Sequence, residues 1–203
     1  MDRPNVILCV SASIDGRISL GPNRTLMDLD ERDGVLGTRE EWEEFYAGFE
    51  ARYRPDVYME GSNMIVKEGS QLRELEPCDG DPQELYEDYL PREVVERSGR
   101  KGWLAAVDGR GRLRSGYTGE KDRPILHLVA RGVPAPYLWF LRRTGIPYLL
   151  AGGERVDLAL ALKKMKDKLG VKTVLTSSGG RLAGALLKLG LLDEVHIRFN
   201  PVV

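Results

Sequence analysis

The chain has 203 residues, with 30 Lys and Arg against 31 Asp and Glu, a formal charge of −1 and 42% apolar residues. That length suffices for one ordinary domain with a sizeable core, and the balanced charge removes the broad attraction that nonspecific nucleic-acid binding needs. No apolar run reaches the ~18 residues of a membrane-crossing helix. The start Met1-Asp2-Arg3-Pro4 leads straight into an apolar strand without the pattern of a signal peptide. Cys9 and Cys78, the two cysteines, make neither a disulfide framework nor a metal site. These features point to a cytoplasmic domain that uses or binds a small molecule.

In chain order, Val6-Ile7-Leu8-Cys9-Val10 is a continuous apolar run, the signature of a strand covered on both faces. After a long polar turn, Trp42, Phe45, Tyr46 and Phe49 repeat at helical spacing and predict a helix over 40–53. Residues 56–60 read as the next strand, ending at Gly61. Residues 69–102 form an acidic stretch with Pro77, Pro82 and Pro91, in which Arg92 is the one basic residue between Glu74 and Glu96. It reads as a solvated excursion with a helical turn around 83–89, the alternative being a flap over a site. Strands follow at 103–107 and 125–130, a short helix at 137–143 and a strand at 147–151.

The last quarter is the most regular. Leu158, Leu162, Met165 and Leu169 fall at i, i+4, i+7 and i+11, with lysines between them and Gly170 behind, so a helix stops there. A strand over 171–176, the turn Ser177-Ser178-Gly179-Gly180, and a helix stripe of Leu182, Ala185, Leu186 and Leu189 ending at Gly190 come next. Val195, Ile197 and Phe199 then alternate with His196 and Arg198, a strand with one apolar side. Strand and helix alternating in this way predict an α/β fold with a mainly parallel central sheet flanked by helices on both faces, in a single domain.

Two strand-to-helix turns carry glycine, Met59-Glu60-Gly61-Ser62-Asn63 and Ser177-Ser178-Gly179-Gly180-Arg181. The first turn of a helix leaves backbone N–H groups unpaired, glycine lets a ligand approach them, and the helix dipole favours an anion. Two such turns in one parallel sheet suit a nucleotide pyrophosphate, although neither has GxGxxG spacing and each also serves as a tight connection. His127 reads as a hydrogen-bonded core histidine, Cys9 as a core residue, and lysines 163–168 as a wet helix face.

Arg3-Pro4-Asn5-Val6 with Ser11-Ala12-Ser13-Ile14-Asp15-Gly16-Arg17-Ile18 resembles the RPxV…(A/S)xSLDGxI opening of the riboflavin-pathway pyrimidine reductases, which share the dihydrofolate reductase-like fold. Gly179-Gly180-Arg181-Leu182-Ala183-Gly184-Ala185-Leu186-Leu187 with Gly190-Leu191-Leu192-Asp193-Glu194 resembles that family's EGG(G)xLxGALLxxGLxDE. Asn200-Pro201-Val202-Val203 resembles its APVL. Residues 57–65 stand where it has AILVGxxTV and 107–113 where it has LDSxxR.

The resemblance implies a reductase with NADPH as hydride donor and a pyrimidine ribosylamino 5′-phosphate as substrate, in which the protein contributes positioning and no residue acts covalently. It implies Ala12, Gly61, Ser62, Asn63, Ser178, Gly179, Gly180, Arg181 and Leu182 as cofactor contacts. Arg110 and Arg131 are the candidates for the 2′-phosphate, while Asp15, Thr25, Asp28 and Ser177 fall on the substrate side. Ser177 replaces the family's substrate-contacting acid, Gly109 its Ser and Met64 its Thr. These departures keep open a same-fold reductase of another carbonyl, imine or pterin-like substrate, and a catalytically silent nucleotide-binding module. Asp28, Asp30, Glu31 and Asp33 read as a solvated turn, with a folate-type carboxylate as the alternative. The resemblance also implies a homodimer through the late strands, and two more antiparallel strands beyond Val203.

Overall fold

The computed structural model describes residues 2–21, 24–25, 39–98, 101–120 and 123–201. Ten strands are present among them: β1 (Asn5–Ser13), β2 (Ser19–Gly21), β3 (Arg24–Thr25), β4 (Val57–Gly61), β5 (Trp103–Val107), β6 (Gly119–Glu120), β7 (Arg123–Val129), β8 (Tyr148–Leu150), β9 (Thr173–Thr176) and β10 (Glu194–Asn200). The helices are α1 (Arg39–Tyr53), α2 (Ser62–Ile65), α3 (Arg92–Ser98), α4 (Ala135–Arg143), α5 (Leu158–Leu169) and α6 (Gly180–Lys188), with a 3₁₀ turn at Pro82–Leu85.

The main sheet runs β10-β1-β9-β4-β5-β7, with β8 parallel on the far side of β7 and β6 antiparallel at its start. Every other pairing in it is parallel. The alternation of the apolar runs explains the layers. Val6, Val57, Met59, Leu126 and Leu128 bury against Leu162, Met165 and Leu186 of α5 and α6. Ile7, Cys9 and Leu175 turn the other way, toward Phe45, Phe49 and Tyr53 of α1. Ala106, Ile125 and Val129 meet α4 through Tyr137, Leu138 and Leu141. α5 is bounded as its sequence dictates: the Asp157 side chain accepts from Leu160 N–H, and Gly170 takes the left-handed conformation at φ 68.

The acidic stretch is a strap. Leu75, Cys78, Leu85, Tyr86 and Tyr89 pack against the α4 side, while Leu90, Val94 and Val95 pack against the α5–α6 side. Between them the chain rounds the edge strand β8, where Tyr89 and Tyr148 exchange backbone hydrogen bonds of 2.9 Å each way. Asp88 accepts from Leu150 N–H and pairs with Lys164 and Lys168. An exposed sheet edge is thereby covered, which corrects the reading of this stretch as solvated and of those two lysines as merely wet.

Asp193 shows how the last strand is registered. Its carboxylate accepts both Arg3 Nη groups at 2.6 and 3.0 Å and Val6 N–H at 2.8 Å, clamping the start of β10 to the start of β1. The Arg3 hydrogen bonds hold its pKa below the ordinary carboxylate value. Asp193→Ala is expected to cost about 2–3 kcal/mol in urea denaturation, because a largely buried guanidinium and an amide lose their acceptor. The contribution is complete above the ~3.9 of an unfolded Asp and disappears as pH falls through the lower folded value.

Candidate dinucleotide site

All the parallel strands end on one edge of the sheet. β9 returns late in the chain to lie between β1 and β4, so the strand order reverses there, and in open α/β sheets the strand ends at such a point are where ligands bind. Thr176 ends β9, Ser178 is buried, and Gly179 is the N-cap of α6 with no side-chain cap. Leu182 and Ala183 N–H both bond Gly179 C=O. The N–H groups of Gly179, Gly180 and Arg181 have no acceptor among the described residues. Gly179 has an ordinary φ of −62, so glycine is required here for access rather than for backbone freedom. A Cβ on Gly179 would meet nothing within 4 Å, and one on Gly180 only Ile18 Cδ1 at 3.5 Å. Open space over three unpaired amides at the positive end of a helix fits a pyrophosphate.

The preceding residues are fixed by an acid that the sequence did not single out. Glu60, at the end of β4, accepts from Ser177 N–H at 3.0 Å and from Ser178 Oγ at 2.8 Å, and Ser178 N–H bonds Thr176 Oγ1 at 3.2 Å. Burial raises the Glu60 pKa above its ordinary value, against the two hydrogen bonds it accepts. Burial raises the pKa of the Tyr46 phenol on α1, which stands near Ser177 and Glu60. A carboxylate therefore does stand beside Ser177, delivered from the neighbouring strand. Its signal was a charged residue in the otherwise uncharged strand Val57–Gly61, one place before the glycine.

The second glycine turn touches the first: a Cβ on Gly61 would lie 4.0 Å from Leu182 Cβ. Ser62 is buried, and Asn63 Oδ1 accepts from Arg112 Nη1 and from Arg110 Nη2, the latter at 3.2 Å. Arg112 also donates to the carbonyls of Val66 and Lys67 at 3.0 and 2.8 Å, so it joins the turn after β4 to the loop after β5. That loop hangs on Asp108, fully buried, whose Oδ2 accepts from Arg112 N–H, Leu113 N–H and the Tyr137 hydroxyl at 2.7–2.8 Å. Tyr137 lies 2.8 Å from His127 Nδ1, which donates to it because the Tyr137 proton is given to Asp108. Burial pushes the His127 pKa down to about 4 despite Asp108, and raises that of Tyr137. His127 is thus the core histidine its strand implied. Arg112 is structural, and Arg110 is the exposed guanidinium of this loop.

The expected cofactor residues fall in line along the edge: Ala12 on β1, residues 178–181 after β9, 61–63 after β4, Arg110 after β5 and Arg131 after β7. Four strand spacings separate the ends of that row, roughly 19 Å. Leu182 and Ser178 contribute differently from the rest. The Leu182 side chain enters the core and its N–H is used by Gly179, while Ser178 spends its hydroxyl and N–H on Glu60 and Thr176. Arg181 is exposed and paired with Glu68 at 2.9 Å. Asp15 is exposed and engaged in its own turn, bonded to Ser13 and Arg17. Thr25 pairs with Ser19 in the β2–β3 hairpin, and Asp28 lies outside the described residues. Among the described residues, Ser177 is met by Glu60, which also holds Ser178.

Residues 4–203 match the model of the RibD C-terminal domain. The chain belongs to that family. It is 24% identical over 204 residues to the 2,5-diamino-6-ribosylamino-4(3H)-pyrimidinone 5′-phosphate reductase of Archaeoglobus fulgidus, covering 98% of this chain and 81% of that one. Acinetobacter baumannii RibD matches at a TM-score of 0.63 and 19% identity, over 100% of this chain and 47% of that one, so the RibD domain described here spans about half of it. A pyrimidine reductase-like protein of Corynebacterium diphtheriae matches at 0.63 and 15%, over 98% and 75%. The Saccharomyces riboflavin biosynthesis reductase Rib7 matches at 0.60 and 12%, over 100% and 75%. The architecture of this RibD domain is the α/β, dihydrofolate reductase-like sheet that the two ends of the sequence resemble.

Proposed function

We propose that this RibD domain is an NADPH-dependent reductase of a pyrimidine ribosylamino 5′-phosphate, acting in the cytoplasm. The single observation that carries the reading is the row of unpaired amides at Gly179, Gly180 and Arg181 beneath open space, at the strand crossover next to β1. Those amides would hold the pyrophosphate, the end of β1 at Ala12 would lie against the nicotinamide, and residues 61–63 would meet the adenosine side. Arg110 and Arg131 would take the 2′-phosphate, the group that separates NADPH from NADH. When bound, the cofactor would supply a hydride to C1′ of the substrate's ring-opened imine form, whose C=N bond becomes a single bond as the nitrogen takes a proton. The residues orient the two reactants and exclude water, which is the protein's main contribution to such a transfer. Loss of absorbance at 340 nm on mixing the protein, NADPH and the archaeal relative's substrate tests the reading; an unchanged trace with NADPH bound would favour a silent binding module.

Ser177 motivates a second reading, a same-fold reductase with a different carbonyl, imine or pterin-like substrate, since the acid now comes from β4. We further propose a homodimer through β10. This strand is at the sheet edge and exposes Val195, Ile197 and Phe199 by 49, 49 and 62% on one side. Ile197→Glu is expected to shift the mass in light scattering from dimer to monomer; a monomeric parent protein would refute the proposal.

A further inference from the structure

We propose that the groove between α1 and β10 is a second ligand site, built for a neutral, flat heteroaromatic ring that carries an imide or amide edge. None of its lining residues belongs to the two glycine turns, and the inference goes beyond the reductase reading. Side chains alternate along a strand, and residues paired across parallel strands share a face. Cys9 of β1, which packs toward α1, stands opposite His196 of β10, and Ser11 stands opposite Arg198. His196 and Arg198 are therefore on the α1 side of the sheet, away from the apolar face of Val195, Ile197 and Phe199. α1 itself packs over Ile7, Cys9 and Leu175 of β1 and β9. β10 lies one strand further out, and a cavity of about 530 Å³ is left between the two. One wall is the α1 stripe from Glu41 past Phe45, Gly48 and Phe49 to Arg52; the other is His196 and Arg198. The volume falls in the range of small-molecule sites.

Gly48 is the residue that points to a ligand. It sits inside the 15-residue α1 with no positive φ to accommodate, and glycine in a helix interior is destabilising relative to alanine. A Cβ at Gly48 would meet nothing within 4 Å. Neither the packing of the fold nor the backbone asks for glycine here, whereas a flat molecule lying against the helix does. Phe45 and Phe49, with ring centroids 5.0 Å apart, stand on either side of it in the same wall. Phe49 also meets the His196 ring edge-on at 4.9 Å. The groove thus offers aromatic surface to a ring system. Its polar groups define the edge of that ring. The Tyr53 hydroxyl lies 2.7 Å from Glu194 Oε2 and 2.8 Å from His196 Nε2. It gives its proton to the carboxylate, so Nε2 of a neutral imidazole donates to Tyr53 and Nδ1 is the remaining acceptor. An imide or amide N–H suits that acceptor, and the carbonyl beside it suits a guanidinium, which Arg52 and Arg198 supply. Glu41 and Glu44 balance the two arginines, so the groove has no net attraction for a phosphate. That balance selects a neutral ring.

Riboflavin, a neutral fused heteroaromatic with an imide edge, is the probe, because its fluorescence is quenched by stacking. Titrating the protein into riboflavin is expected to quench the emission saturably at micromolar concentration, to the same extent with and without saturating NADPH. Gly48→Leu should weaken binding about tenfold, the worth of one aromatic contact. Its melting midpoint should hold or rise, because the helix loses its glycine. Gly48→Ala, the smallest addition, should weaken binding about threefold at a raised midpoint, and it decides the matter if the leucine protein does not fold. FMN, which adds a phosphate to the same ring, should bind no tighter than riboflavin. Quenching that does not saturate, displacement of riboflavin by NADPH, tighter binding of FMN, or unchanged affinity in the Gly48 variants would each overturn the assignment. None of those results bears on turnover of NADPH, so the reductase reading stands or falls separately.

Discussion

Gly179→Asp is expected to lower NADPH affinity by at least about 100-fold while leaving the fold intact or slightly firmer. The two effects come from one position. Gly179 has φ −62 and ψ 172, which any residue adopts, and its added Cβ meets nothing within 4 Å. It is also the N-cap of α6, with no side chain capping it. Aspartate is among the best N-caps, worth a few tenths of a kcal/mol over glycine, so the thermal midpoint should hold or rise. The same carboxylate would take up the free amides and put a negative charge where the pyrophosphate belongs. Calorimetric titration and a melting curve on one sample separate the outcomes. Lost affinity with a preserved midpoint supports the site; retained affinity moves the phosphates elsewhere.

The second large effect concerns stability. Asp108→Ala should cost about 4 kcal/mol in chemical denaturation, because the N–H groups of Arg112 and Leu113 and the Tyr137 hydroxyl would all be left buried without an acceptor. Asp108→Asn should cost only about 1 kcal/mol, since an amide oxygen can still accept all three. Its amide nitrogen would occupy the side of Oδ1, which has no partner among the described residues. A large loss in both variants would mean that the negative charge, not the acceptor geometry, holds the 108–113 loop. The loop carries Arg110, so Asp108→Asn should also leave the preference for NADPH over NADH near the parent value.

What the sequence revealed follows the range of the interactions involved. α5 came out with its buried face and its stop correct because those signals are local: Leu158, Leu162 and Met165 mark the face and Gly170 ends it. The strands at 103–107 and 195–199 were legible from apolar runs and alternation. α3 was not, because Pro91 and the surrounding acids obscure a short helix whose stability comes from Val94 and Val95 packing on a distant core. The strap was misread for the same reason: Asp88 is explained by Lys164 and Lys168, some 80 residues away in the chain.

The site divides similarly. The glycine turn at 178–181 announces itself in four consecutive residues, and the N–H groups of Gly179, Gly180 and Arg181 have no acceptor among the described residues. The roles of Glu60 and Arg112 come from pairs separated by more than 40 residues, Glu60 with Ser178 and Arg112 with Asn63, so nothing near either residue discloses them. Between the two arginines of Arg110-Gly111-Arg112, only tertiary structure decides which is buried as a strut and which remains available to a ligand.

The most direct measurement is a ¹⁵N amide spectrum of the labelled protein titrated with NADPH. The account predicts that the amide signals of Gly179, Gly180 and Arg181 move most, followed by those of residues 61–63, and that inorganic pyrophosphate moves the first three alone. Saturable NADPH binding that leaves those three amides unmoved would contradict it.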